Sequence, residues 1–235
     1  MKFIHTADIH ASKARKNQTL KTIEIIHRTA DKESVDAIFI AGDFWDFTIT
    51  ATESSGFSEI LRSMDELQKD FNIYMIYGTP SHEPDGSLEC FAVMRNVTVI
   101  DKPTVTAIHP GIQLVAIPEP RLGKTEGRNV EEKYRTVQEM YASTFQTAKD
   151  FPADKRVLMY HGEVEGSVMQ NGQKVLPTGT SMPLDLLRNM DFDYGCLGHI
   201  HNPQQVPGTN CWYPGTPCPK DFGETHEGII KVVEI

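Results

Sequence analysis

Five times along this chain a run of apolar, strand-forming residues ends in a polar cluster containing Asp or His. The clusters are Asp8-Ile9-His10, Gly42-Asp43, Ser81-His82-Glu83, His161-Gly162 and Gly198-His199-Ile200-His201. In layered α/β proteins the carboxyl ends of the strands open onto one crevice, so loops leaving them can bring distant residues together. Asp8 and His10 are two apart, which puts both on one side of an extended backbone, and the same holds for His199 and His201. Carboxylate oxygen and imidazole nitrogen, without thiolate, suit borderline-hard divalent ions such as Mn2+, Fe2+ or Zn2+. A carboxylate such as Asp43 can bridge two ions at the spacing of about 3.5–4 Å that two-metal hydrolases use. Alone, a Gly-Asp after a strand is a common turn, and a buried histidine is usually a hydrogen-bonded core residue. Five such clusters in one chain call for a shared site.

The periodicity between the clusters fits an α/β fold. Lys2 to Ala7 reads as a first strand, and Leu20, Ile23, Ile26 and Ala30 recur at helical spacing. Ala37 to Ala41 is a short buried strand, Phe57, Ile60, Leu61, Met64 and Leu67 mark an amphipathic helix, and Ile73 to Tyr77 is another strand. Short strands are predicted at Val97 to Ile100, Val105 to Ile108 and Gln113 to Ile117. A long helix carries Val130, Tyr134, Val137, Tyr141 and Ala148. Strands at Arg156 to Tyr160 and Tyr194 to Leu197 flank a short helix after Pro183. Cys211 to Tyr213 and Ile229 to Ile235 look like closing antiparallel strands. The alternation predicts α/β layers with a mixed sheet or sheets. Pro118 to Gly127 and Gly162 to Pro183 are long loops near candidate ligands, and such loops are often functional.

The 235 residues suit one large domain, and 39% hydrophobic content is enough for a core. No apolar run approaches the roughly 20 residues that span a bilayer, so no membrane association is expected. Cys90, Cys196, Cys211 and Cys218 form no CxxC pair and read as reduced thiols of a cytoplasmic protein. The net charge of −9 argues against a surface coated for nucleic acid, although metal-ligating acids would overstate it. Any basic footprint must therefore be local.

The order D-x-H, G-D, a His-containing turn, H-G and G-H-I-H resembles the calcineurin-like metallophosphoesterases. The run Asp193-Tyr194-Gly195-Cys196-Leu197-Gly198-His199-Ile200-His201, followed by Pro203-Gln204, is similar to the Mre11/SbcD nuclease branch. So is the ending, with Tyr213-Pro214-Gly215-Thr216, Phe222-Gly223-Glu224 and Gly228 to Glu234. The resemblance covers nearly the whole chain. It implies a layered α-β-β-α sandwich, with residues 1–235 as a single nuclease core and no capping domain evident.

At the site, the resemblance implies that Asp8, His10 and His201 hold one metal, that His161 and His199 hold the other, and that Asp43 bridges them. The family's G-N-H-D turn implies His82 beside the leaving group and Glu83 as the carboxylate that keeps it oriented and charged. Here two residues are inserted, and Ser81 stands where the family has a ligating Asn. A serine hydroxyl is the poorer ligand, so the second metal would bind more weakly, or His82 would fill the place. The resemblance further implies a Mn2+-dependent DNA exonuclease. In-line attack by water would need no covalent intermediate, an SbcC/Rad50-like ATPase would be the partner, and helices near Ser54 to Phe71 and after Pro84 could form a homodimer. The competing expectation is a small-molecule phosphodiesterase or phosphatase, which the acidic balance favours. A catalytically dead scaffold would have no reason to keep six ligands.

Other residues admit two readings. Lys13, Arg15 and Lys16 are either a solvated charge cluster or a phosphate clamp beside the metals, and Arg121, Lys124 and Arg128 invite the same choice. Trp45, Phe47 and Tyr77 could stack an unpaired base or pack beneath the loops. Asp46 either orients a neighbouring ligand or begins a turn. His5 and His109 are read as structural.

Overall fold

The computed structural model describes residues 1–46, 54–218 and 228–235. Phe47, the Phe222-Gly223-Glu224 segment and His226 therefore lie outside the described residues. The first half runs β1 (Lys2–Thr6), α1 (Lys16–Glu33), β2 (Ala37–Ile40), α2 (Ser54–Asp70), β3 (Asn72–Ile76), α3 (Glu89–Ala92) and β4 (Val97–Ile100). The second runs β5 (Thr104–His109), β6 (Ile112–Ile117), α4 (Val130–Asp150), β7 (Lys155–His161), α5 (Leu184–Arg188), β8 (Tyr194–Gly198), β9 (Gln204–Gln205), β10 (Cys211–Tyr213) and β11 (Lys231–Glu234).

Two sheets result, ordered β11-β1-β2-β3-β4 and β5-β6-β7-β8-β10-β9. Strands β1 to β4 are mutually parallel, and β11 closes the first sheet antiparallel to β1, pairing Phe3 with Val233. In the second sheet β6, β7, β8 and β10 are parallel, with antiparallel β5 and β9 at the edges. The expectation of a closing antiparallel strand holds for β11. It fails for Cys211 to Tyr213, which pair parallel with β8 and meet an antiparallel partner only in two-residue β9. Two glutamines carry no apolar periodicity, so β9 had no sequence signal.

Strands buried on both faces need apolar residues at successive positions, and the two faces here feed different layers. Ile38 and Ile40 of β2, with Ile73 and Met75 of β3, pack under α1 and α2. Val115, Ile117, Leu158 and Tyr160 pack under α4 through Val137, Tyr141 and Phe145. The alternate residues, Phe3, Phe39, Ile76, Leu114, Met159 and Cys196, meet between the sheets. The order of layers is therefore α-β-β-α.

A polar side chain, His5, lies between the sheets. His5 of β1 is fully buried; the Tyr194 hydroxyl donates to its Nδ1 at 3.1 Å, and its Nε2 donates to the Leu197 carbonyl at 3.2 Å. Burial lowers its pKa to about 3, so it is a neutral strut joining β1 to β8. The helices are finished locally. Asn129 caps α4 by accepting from the Glu132 amide, and Glu132 accepts in return from the Arg128 amide. All four cysteines are free thiols, and no helix among the described residues is long and apolar enough to cross a membrane.

Candidate active site

The loops that leave β1 and β2 run side by side. The Asp8 amide donates to the Gly42 carbonyl at 3.0 Å, His10 to Asp43 at 3.0 Å and Ala11 to Phe44 at 2.7 Å. This pairing turns the chain sharply, so Asp8, His10 and Asp43 take positive φ values of 54°, 50° and 49°. Non-glycine residues rarely adopt such angles, and they cluster where function requires them. His199, after β8, sits at φ 101°, and its amide is held by both oxygens of Asp8 at 3.0 and 3.1 Å.

The motif glycines have a packing reason. A Cβ on Gly42 would lie 2.1 Å from His161 Nδ1, and one on Gly198 would lie 1.9 Å from the Ala41 carbonyl oxygen. Only bare backbone lets these loops approach so closely.

Six expected residues converge. Asp8, His10 and His201 form one group, Asp8, Asp43 and His161 another, and His161 and His199 belong to a third, with the ligand atoms of each within 4.8 Å of one another. His10 Nε2 and His201 Nε2 face each other at 2.9 Å. Asp43 lies between the histidine pairs, with Oδ2 3.5 Å from His161 Nε2 and 3.9 Å from His10 Nε2. His161 donates from Nδ1 to the Ala41 carbonyl at 2.7 Å, which turns Nε2 toward the cluster.

Charge balance at this point asks for cations. Asp8, Asp43 and His161 are almost wholly buried. Burial opposes charging His161, but the carboxylates of Asp43, Asp8 and Glu119 prevail and raise its pKa to about 10. Burial likewise opposes the Asp43 anion, which His161, His10 and His82 nonetheless hold well below the usual carboxylate range. Facing imidazole nitrogens and buried acids are the donor set that divalent ions satisfy, and the His/Asp clusters fit two of them.

The turn after β3 departs from expectation. His82 stands at the rim, its ring 4.9 Å from that of His10. Its carboxylate partner, however, is Asp46. His82 Nδ1 lies 3.2 Å from both the Asp46 carboxylate and the Asp46 carbonyl, and His10 Nδ1 lies 3.3 Å from the same carboxylate. Glu83, expected to orient His82, points inward and accepts from the amides of Asp43, Phe44, Trp45 and Gly78 at 3.2, 2.7, 3.1 and 2.7 Å. Burial and the nearby Asp43 charge raise Glu83 to about 7, against the pull of those amides.

Ser81, expected at the Asn position, is exposed. Thr79 occupies the place next to the cluster instead. Its amide donates to Asp43 Oδ1 at 2.6 Å, and its hydroxyl is 3.3 Å from His161 Nε2 and 3.4 Å from His199 Nδ1. The two-residue insertion falls after Thr79, so counting back from His82 pointed to the wrong hydroxyl.

Sequence reasoning also missed Glu119, which groups with His161 and His199. It follows buried β6 in the same strand-then-polar pattern as the other clusters, and that was the available signal. Burial opposes the Glu119 anion, but hydrogen bonding to His199 and the charge of His161 lower its pKa.

The candidate clamp is largely engaged within the protein. Lys16 pairs with Glu59 at 2.9 Å, Arg15 donates to the Cys218 and His10 carbonyls, and Lys13 is exposed. Arg121 and Lys124 both pair with Asp85, and Arg121 also donates to the Glu83 carbonyl and covers the Tyr77 ring. Trp45 is buried against Phe91 at 5.5 Å, with its indole donating to Ser87. Both Trp45 and Tyr77 are packing residues.

Comparison with known proteins agrees with this arrangement. The chain is 23% identical to the SbcD component of the SbcCD nuclease from Staphylococcus epidermidis, over 97% of this chain and 64% of that protein. It is 22% identical to the DNA double-strand break repair protein Mre11 of Methanopyrus kandleri, over 97% of this chain and 51% of that one. The chain thus spans between half and two thirds of the length of these relatives. A dimetal phosphatase from Danio rerio shares the fold with a TM-score of 0.53 at 9% identity, covering 91% of this chain and 86% of the other. The profile of the calcineurin-like phosphoesterases matches residues 1–203. The chain belongs to the calcineurin-like phosphoesterase family and is a metal-dependent phosphoester hydrolase.

Proposed function

We propose that the chain is a Mn2+-dependent phosphodiester hydrolase acting on DNA, the core of a nuclease of the SbcD/Mre11 kind. The observation that carries this reading is the Asp43 carboxylate lying between two histidine pairs, with His82 on the rim. Similarity to two nuclease-system proteins over 97% of the chain supports the choice of DNA. By the same resemblance an SbcC/Rad50-like ATPase is the partner, the chain dimerises, residues 1–235 act as one domain, and the setting is cytoplasmic.

Asp8, His10, His201 and Asp43 would hold one ion, and Asp43, His161 and His199 the other. When bound, the pair would neutralise charge building on phosphorus and lower the pKa of the attacking water. The chain's own residues supply position and a proton. Asp8 fixes the His199 backbone, and Ala41 fixes the His161 tautomer. Asp46 holds His82 through Nδ1, which leaves Nε2 to give a proton to the leaving oxygen. Glu83 binds the Asp43 loop to the turn that carries His82.

One observation favours a second reading, hydrolysis of small phosphodiesters. A cavity of about 350 Å³ beside His199 and Glu119 is lined by Pro80, Pro120, Leu122 and Tyr160, and the nearby cations are mostly paired. The deciding experiment is Mn2+-supported hydrolysis of labelled duplex and single-stranded DNA alongside bis(p-nitrophenyl) phosphate. Degradation of the polymers supports the nuclease. Cleavage of the model ester alone overturns it in favour of the second reading.

A further inference from the structure

Building on the dimetal reading, we propose that Glu119 is a direct carboxylate ligand of the ion held by His161 and His199. That position would then be a site of two histidines and two carboxylates. Glu119 Oε2 lies 3.5 Å from His199 Nδ1 and 3.6 Å from His161 Nε2, and Asp43 Oδ2 lies 3.5 Å from the same His161 nitrogen. Ligand atoms about 2.0–2.2 Å from one ion stand about 3–3.6 Å from each other. Glu119 Oε2, His161 Nε2 and His199 Nδ1 are thus spaced as ligands of a single centre would be, and these three group together within 4.8 Å of one another. His161 is wholly buried, and its Nε2 faces both carboxylates.

The arm is positioned in advance. Glu119 follows β6 between Pro118 and Pro120, whose rings restrict the backbone on both sides. Its amide donates to the Tyr77 carbonyl at 3.3 Å, and Thr79 donates its hydroxyl to Oε2 at 3.0 Å. Thr79 brings no charge and only a weak neutral oxygen to the site. Glu119 supplies the stronger donor from a different loop, and Thr79 steers it.

Titration calorimetry of the chelator-stripped full chain with Mn2+ tests this, with Glu119→Gln keeping the shape and removing the charge. Wild type binds two ions. In Glu119→Gln one of them weakens by at least the ~10–100-fold that loss of a supporting carboxylate costs, while the other keeps its affinity. Electron paramagnetic resonance at one ion below saturation then shows an isolated Mn2+ in place of the coupled pair. Thermal melting in chelator checks the fold. Should Glu119→Gln fail to fold, Glu119→Asp, which keeps the charge on a shorter arm, must show the same selective weakening. Wild type binding fewer than two ions overturns the dimetal reading and this inference with it. Two ions of unchanged affinity in the variant overturn this inference alone.

Discussion

His82 and Glu83 are neighbours in sequence but face opposite ways, and their substitution should have opposite consequences. His82 is part-exposed at the rim and touches Asp46. His82→Ala should keep both ions by calorimetry and lose ~10²–10⁴ in kcat, the usual contribution of a positioned acid. Loss of an ion instead would make His82 a ligand. Glu83 satisfies four buried amides, and each amide left unpaired costs about 1–3 kcal/mol. Glu83→Ala should therefore lower the urea midpoint sharply, whereas a residue that only oriented His82 would leave stability unchanged. At this scale Asp8, His10, Asp43, His161, His199 and His201 were legible because each sits in a short motif at a strand end. Thr79 and Glu119 were not legible, and Asp46 only as one of two readings. An insertion hid the first, and the roles of the others depend on how separate loops converge.

Among elements, the paired loops after β1 and β2 decide the site. Their contact leaves no room at Gly42, whose φ of 85° also disfavours any side chain. Gly42→Ala should push His161 from place, costing at least ~1–3 kcal/mol of stability together with metal affinity. A variant with wild-type melting and metal content would contradict the packing described. Most strands could be read from sequence because each face of β2, β3, β6 and β7 meets a different apolar layer. The direction of β10 could not, since pairing to β8 is set by the long connection through β9 rather than by its own three residues.

For the whole molecule, the two sheets meet across an apolar layer with His5 as its polar strut. Its pKa is depressed from 6.5 to about 3 in the fold. Between those values the unfolded chain takes up a proton that the folded chain refuses. The stability His5 contributes is thus present above pH 6.5 and is lost as pH falls toward 3. The slope from this one group approaches about 1.4 kcal/mol per pH unit. Urea unfolding of wild type and His5→Gln from pH 6 to 4 should differ in slope by about that amount, and equal slopes would mean His5 is charged or hydrated in the fold. Under the proposed function, the two halves of this sandwich bring their strand ends together around a pair of ions with Asp43 between them. Anomalous scattering from crystals soaked in Mn2+ tests it most directly. Two peaks about 3.5–4 Å apart, with Asp43 reaching both, are predicted. A single peak, or an ion bound by cysteine away from Asp43, would contradict the account.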